Sequence, residues 1–540
     1  MVQRNQERSD RFTLKQRREQ VLERLAAFGL VRGPHRIVRA PHKWNAEVNP
    51  GFKLRLAFSD LGPIFSLFGR YLATRVDLLP AADCRELEGI PDDATPMPNE
   101  DVRQLIQRET GFAPEDVFLS FESTPYESHL LHQLHRARLQ TGTPVVVKLV
   151  RADVLSQWLC DVELLELIET TIGGAARVVA IRSAIADFAA MLRQQMDLTH
   201  EAKAMETLRR DAEDLDALRV PQVLREFSSP SILTVEQLPG TRLSEPAGTL
   251  DRSGVARLLC SVWLRQALMG HVFPVDPCAA NIVVISEKQI AFTDGVFSSL
   301  TADSQSNLWN YLIASAGDSP DHACSCLLKE VRADGPSGSY EDLRHQFRQV
   351  VPFRDTGWYT DDNKNHLIEH LVVHWQATTD CGFVPQSHLA SFCRGLFAIT
   401  RVAQQLSPET DPLLEGLQEA RLLESVARMR EMFSLERLGD HADRYAALLM
   451  AMPQRFDQAL TLASEGRAQV KLHVPENVSQ QRHKNSIAVM TALLLLLAAV
   501  AFALPRVTSS FVGNDWAGRI NAVAFIGCGA LLLLAMGRMR

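Results

Sequence analysis

At 540 residues the chain is too long for one ordinary core, so two or more folded units are expected. Its content of 46% hydrophobic and 22% charged residues is that of a globular protein, and a formal net charge of −7 gives no footing for nucleic-acid binding. Nine cysteines without a single C-x-x-C argue against a disulfide framework and for reduced thiols in a cytosolic compartment.

The opening residues lack the apolar run of a secretory signal, and Glu7, Asp10 and Glu19 do not suit a transit peptide. The spacing predicts an amphipathic helix over residues 13–30, then a polar, proline-punctuated stretch to about residue 57. Leu61–Pro80 has helical apolar spacing, with Pro63 near its start and Pro80 as a stop; Asn99 introduces another helical pattern that ends at Gly111. The period then shortens. Phe118–Phe121 reads as a strand, and Arg136–Leu139 with Val145–Val150 as a hairpin. Helical patterns return over 152–171 and 178–213, followed by a strand pair at Val223–Phe227 and Ile232–Gln237. A helix over 250–272 precedes a second hairpin at 282–285 and 289–293, and residues 303–465 read as helical throughout. Ile487–Leu504 and Ile520–Gly537 carry no charge and are each long enough to cross a hydrocarbon core of about 30 Å. Arg482, Lys484, Arg538 and Arg540 flank the outer ends, which predicts a transmembrane hairpin with the large domain on the cytoplasmic side.

Three fragments carry chemistry. Lys148 closes the apolar run Val145–Val147, where a strand-end lysine can project inward to nucleotide phosphates. Asp276 and Asn281 lie five apart just before a strand, the spacing of a kinase catalytic loop, in which the acid orients the attacking hydroxyl and the amide holds magnesium. Asp294-Gly295 follows the hairpin, offering a carboxylate to the same hard cation. A helical acid should neutralise Lys148. Glu201 is the candidate, with Asp197 one turn earlier on nearly the same face. A small strand-bearing lobe before a large helical one makes the expected class α+β, a bilobal protein-kinase-like fold binding ATP and Mg2+.

These residues sit in longer stretches that resemble the UbiB family, the ADCK-type atypical kinase-like proteins of ubiquinone biosynthesis. LGPIFSLFGRYLATRVDLLP, DLTHEAKAM, VPQVLREFSSPSILTVEQLPG, FPVDPCAANIVV and FTDGV are each similar to a family segment, over roughly residues 55–300. The expected organisation is a polar lead-in over 1–57, a helical extension over 58–111, which the resemblance folds over the active site, a kinase-like N-lobe over 112–240, a C-lobe over 241–480 and the hairpin at 485–540. It places Glu236 at the lobe hinge. It further implies ATP binding and kinase or ATPase activity at a bacterial inner membrane, coupled to an isoprenoid-quinone precursor, a membrane lipid or a lipid-biosynthesis complex. The chain departs from the family pattern at Leu67, Arg70, Glu127, Pro274, Cys278, Ala280 and Gly295. Those departures leave a pseudokinase scaffold as the alternative. Glu127 in particular would set a negative charge near the phosphates.

His366, Glu369 and His370 match an H-x-x-E-H zinc pattern, with His374 a turn further on, so a zinc hydrolase is the remote alternative. His129, His132 and His135 read as loop and helix-start residues.

Overall fold

The computed structural model describes residues 2–30, 49–151, 154, 158–168, 178–213, 215–245, 250–333, 339–350 and 366–432. All but Met432 of these belong to the first of two units, Met1–Glu431. Both expected membrane spans lie outside the described residues. Among the described residues, no helix is long and apolar enough to cross a membrane.

Four helices open the fold: α1 (Val2–Ala27), α2 (Pro50–Leu61), α3 (Pro63–Ala73) and α4 (Ala81–Glu88). On α1, Arg17, Val21 and Leu25 recur one turn apart. The two apolar residues are fully buried, and the Arg17 guanidinium reaches Asp161 at 2.8 Å. The polar stretch expected to reach residue 57 is helical from Pro50. Asn49 caps it by accepting from the Gly51 N–H at 2.8 Å, and Pro50 fills the first helical position. Leu54, Ala57, Phe58 and Leu61 then form a buried stripe of helical spacing. Gly62 separates α2 from α3, so the predicted Leu61–Pro80 helix is the eleven residues of α3. A side chain at Gly69 would meet Ile90 Cδ1 at 2.3 Å, so the glycine lets α3 lie close to the segment after α4.

Helices α5 (Asn99–Thr110) and α6 (Pro114–Val117) lead into the small lobe's sheet. Its strands are β1 (Phe118–Phe121), β2 (Glu127–Ser128), β3 (His132–Leu139), β4 (Pro144–Val150) and β6 (Ile232–Glu236), all antiparallel in the order β1-β3-β4-β6 with β2 on β3. His132 and His135 are therefore strand residues, and His129 forms an isolated bridge with Asp93, which corrects the loop and helix-start reading. Strand alternation aims the site. Val145, Val147 and Leu149 are buried in one apolar cluster with Leu105 and Ile106 of α5, so Val146 and Lys148 face the other way.

The expected helix over 178–213 is two, α8 (Val178–Gln195) and α9 (Leu198–Asp211), after the shorter α7 (Trp158–Leu164). The break is Asp197, whose carboxylate caps α9 by accepting from the Thr199 N–H at 3.0 Å. Val223–Phe227 makes no ladder: Val223 bridges Val235 once, and residues 225–227 are a single 3-10 turn.

A second sheet, in the order β5 (Leu218–Arg219), β10 (Gln289–Phe292), β9 (Ile282–Ser286), β7 (Thr241–Arg242), contains the second hairpin. Strand β8 (Phe273–Pro274) pairs antiparallel with β11 (Phe297–Ser298). That ribbon brings the loops at 276–281 and 294–295 side by side. The large lobe is built on α10 (Arg252–Met269), α11 (Ala302–Ala316), α12 (Pro320–Leu327), α13 (Tyr340–Gln349), α14 (Leu367–Asp380), α15 (Ser387–Leu406) and α16 (Pro412–Met432). Within the span read as wholly helical, β12 (Val331–Ala333) pairs with β13 (Phe383–Pro385). Two short strands far apart in sequence leave no periodic signal of their own.

Candidate functional site

A cleft of about 480 Å³ separates the sheet β1-β3-β4-β6 from the loops of the large lobe, within the usual range for small-molecule sites. Val146, Leu233, Val235 and Val283 are among its apolar lining residues, and Lys148, Asp276, Asn281 and Asp294 line it too.

Lys148 is the buried centre. Its Nζ donates to Glu201 Oε1 at 3.0 Å and Oε2 at 2.9 Å, and lies 3.5 Å from Asp294 Oδ2. Burial by itself would lower the lysine's pKa, but the two carboxylates outweigh it and hold the ammonium above its ordinary value. Burial raises Glu201 in spite of Lys148, with Asp294 adding to the push. Burial also opposes ionisation of Asp294, yet Lys148 keeps that carboxyl below its usual range. In direct contact, one cation faces two carboxylates, so these contacts alone leave the trio short of a positive charge.

Glu201 does a second job: its Oε1 accepts the Gly295 N–H at 3.1 Å. Gly295 has φ +142°, a conformation that side chains rarely adopt. The glycine that departs from the family pattern thus lets the turn present its N–H to the same acid that holds Lys148. Buried His132 donates from Nε2 to the Gln195 carbonyl at 2.8 Å, and burial pushes it down to about 3, so it is a neutral donor.

On the opposite wall Asn281 staples its own loop. Its Oδ1 accepts from the Cys278 N–H at 2.8 Å, and the Thr293 N–H reaches its backbone carbonyl at 3.0 Å. An amide oxygen has two lone pairs, so one remains. The carboxylate of Asp276 is held by Arg394, whose Nη2 donates to both oxygens at 2.6 and 2.7 Å. Glu236, in register with Val145, accepts from Arg219 at 3.2 Å and from the Gln222 N–H at 3.3 Å. Lys148, Glu201 and Asp294 are thus brought into direct contact, Asp276 and Asn281 line the facing wall, and Glu236 lies at the rim.

The departing residues have concrete partners. Glu127 is ion-paired with Arg242 and takes His129 Nε2 at 3.1 Å. Arg242 also donates to the Tyr126 hydroxyl at 2.9 Å and lies over that ring at 4.7 Å. The charge expected to repel phosphates is therefore neutralised locally. Arg70 braces the extension, donating to the Ile90 carbonyl at 3.0 Å and lying 3.4 Å from Asp92. Buried Pro274 accepts from the Trp263 indole at 2.8 Å.

Sequence reasoning missed Arg394, 118 residues beyond Asp276 on α15. Its only signal is a cation among buried Phe392, Gly395 and Leu396. The zinc pattern fares differently. His374 stacks on Phe347 with ring centres 4.0 Å apart, and burial drives its pKa well down. Among the described residues, no group of three His, Cys, Asp or Glu could hold a metal ion.

A lysine–glutamate pair facing an Asp and an Asn five residues apart, with a second aspartate in the loop just after a strand, defines a kinase-like protein. The family model for the ABC1 atypical kinase-like domain matches residues 89–322. Among relatives, a probable protein kinase UbiB of Pseudomonas putida is 33% identical over 401 residues, covering 71% of this chain and 68% of that one. One from Pseudomonas paraeruginosa is 27% identical over 508 residues, covering 90% and 87%. The chain belongs to the UbiB family of atypical kinase-like proteins.

Proposed function

We propose that the cleft binds Mg-ATP, and that the protein is a membrane-anchored kinase or ATPase supporting ubiquinone synthesis at the cytoplasmic face of a bacterial inner membrane. The observation that carries the nucleotide reading is the Lys148–Glu201–Asp294 cluster, of which Lys148 and Asp294 line the cleft. Apolar Val146, Leu233, Val235 and Val283 suit an adenine ring, with Glu236 at the hinge. Lys148 binds phosphate oxygens while Glu201 fixes its direction. Asp294 and Asn281 supply hard oxygen donors, and the cluster's missing positive charge fits a divalent cation. The metal, when bound, neutralises charge on the transferring phosphoryl group. Asp276 orients the attacking hydroxyl or water by accepting its hydrogen bond. Family membership and the apolar spans at 487–504 and 520–537 support the quinone and membrane parts of the reading.

The test is a thermal-shift titration of the full chain in detergent with Mg-ATP, wild type beside Asp294→Asn. Ligand that binds only the native state adds roughly 2.7 kcal/mol at a hundredfold excess over Kd. A magnesium-dependent rise in wild type that the variant lacks is expected; no rise in a folded wild type sinks the nucleotide reading.

One observation favours a second reading, the pseudokinase scaffold. Asp276 and Asn281 are already engaged within the protein, by Arg394 and by the Cys278 N–H. Normal quinone levels in cells carrying only Asp294→Asn would support it.

A further inference from the structure

Arg394 belongs to no motif, yet it joins three parts of the molecule on the Asp276 side of the cleft. It is 4% exposed, and all three guanidinium nitrogens are spoken for. Nη2 meets both oxygens of Asp276; Nε donates to Thr74 Oγ1 at 3.0 Å; Nη1 lies 3.4 Å from Met191 Sδ. The guanidinium stacks over Tyr71 at 4.3 Å from its ring centre. Tyr71 is itself fixed, its hydroxyl accepting from Arg75 at 2.7 Å, and Arg75 is clamped to Asp77 at 2.7 Å. Two of these neighbours, Tyr71 and Thr74, lie on or just after α3 in the N-terminal extension, and Met191 is on α8.

We infer that Arg394 is the positioning residue for Asp276, and that the extension holds it in place through Tyr71 and Thr74. The geometry suits that role. A carboxylate has about four lone-pair sites, and Nη2 takes one on each oxygen. The Asp276 side chain keeps 35% of its surface exposed, so its other lone pairs remain open to an attacking hydroxyl. A charge-assisted contact to a stacked, planar cation fixes the carboxylate's direction in a way that a flexible lysine does less well. Asp276 then works as an oriented acceptor. The extension, through Arg394, becomes part of the machinery that aims it.

This inference rests on the nucleotide reading, and the experiment separates the two. Full-length wild type, Arg394→Lys, Arg394→Ala and Thr74→Val are compared in detergent for Mg-ATP thermal shift and for phosphate release. The shift reads nucleotide binding alone; its absence from wild type overturns the reading of the cleft and with it this inference. With the shift intact in every variant, kcat should fall about a hundredfold in Arg394→Ala, as expected when a reacting group is mis-aimed, with KM for ATP within about threefold of wild type. Arg394→Lys should recover part of the loss, and Thr74→Val, which removes one brace and no charge, should lose about threefold to tenfold. A merely structural arginine would lower the melting midpoint and the active fraction without this graded kcat series. Equal kcat in wild type and all folded variants, a rise in KM alone, or binding without phosphate release in wild type would each overturn the positioning role. Should Arg394→Ala fail to fold, the Lys and Val variants carry the same comparison.

Discussion

Replacing Lys148 by methionine keeps most of the side chain's volume and removes the cation in direct contact with both Glu201 and Asp294. At an effective dielectric of about 20, the attractions across 3.0 and 3.5 Å are roughly 5.5 and 4.7 kcal/mol before desolvation. The desolvation of three buried ions offsets much of that sum. The net penalty for stranding the partners of a buried ion pair is about 3–5 kcal/mol. At about 2 °C per kcal/mol for a large domain, the melting midpoint should fall by roughly 6–10 °C at pH 8. The sign of the pH dependence follows. Without Lys148 the burial that disfavours ionisation of both carboxyls loses its main opposition, so folding should be penalised where they ionise, and the penalty should lift as pH falls toward about 4. In wild type Lys148 holds Asp294 low, a contribution present above the unfolded pKa and lost as pH falls through the folded one. Both effects narrow the gap on acidification. Intrinsic-fluorescence melts of the full chain from pH 5 to 8 would measure it. A deficit that stays constant across that range, or one below about 1 kcal/mol at pH 8, would refute the three-charge description.

Gly295→Ala should cost about 1–3 kcal/mol because φ +142° is strained for any side chain, and its Cβ would stand 3.5 Å from Asn281 Nδ2. Melting should fall by roughly 2–6 °C and the Mg-ATP shift should vanish; an unchanged shift would mean that the Asp294 turn does not need its N–H on Glu201. Glu127→Ala frees Arg242 to face the phosphates, so calorimetry should show Mg-ATP binding about fivefold tighter, close to 1 kcal/mol, with the gain shrinking in high salt. Weaker binding there would show that Glu127 supports the loop more than it repels the ligand.

Much of the site was legible from residue order. Lys148 could be read from the apolar run before it, although β4 continues past it to Val150, and Asp276 and Asn281 from a spacing whose loop is too short to need distant help. The Asp294 turn could be read from the hairpin before it. Local rules also hold the signals for two corrected boundaries: Asn49-Pro50 is a helix start, and Asp197 a cap that divides a longer apolar pattern. What no window could contain is contact between distant segments. Glu201 is the expected counter-ion of Lys148, 53 residues away, but its bond from the Gly295 N–H, across 94, lies outside any such reading. Arg394 meets Asp276 across 118 and Thr74 across 320. Glu127, by sequence a repulsive charge, is neutral in effect because β7 delivers Arg242 beside it. Sequence by itself determined which groups the cleft carries, since strand alternation and loop spacing are properties of neighbours along the chain. Only the tertiary structure decided their state, because burial and partner charges set protonation and direction, and both are supplied by parts of the chain that meet only once it has folded.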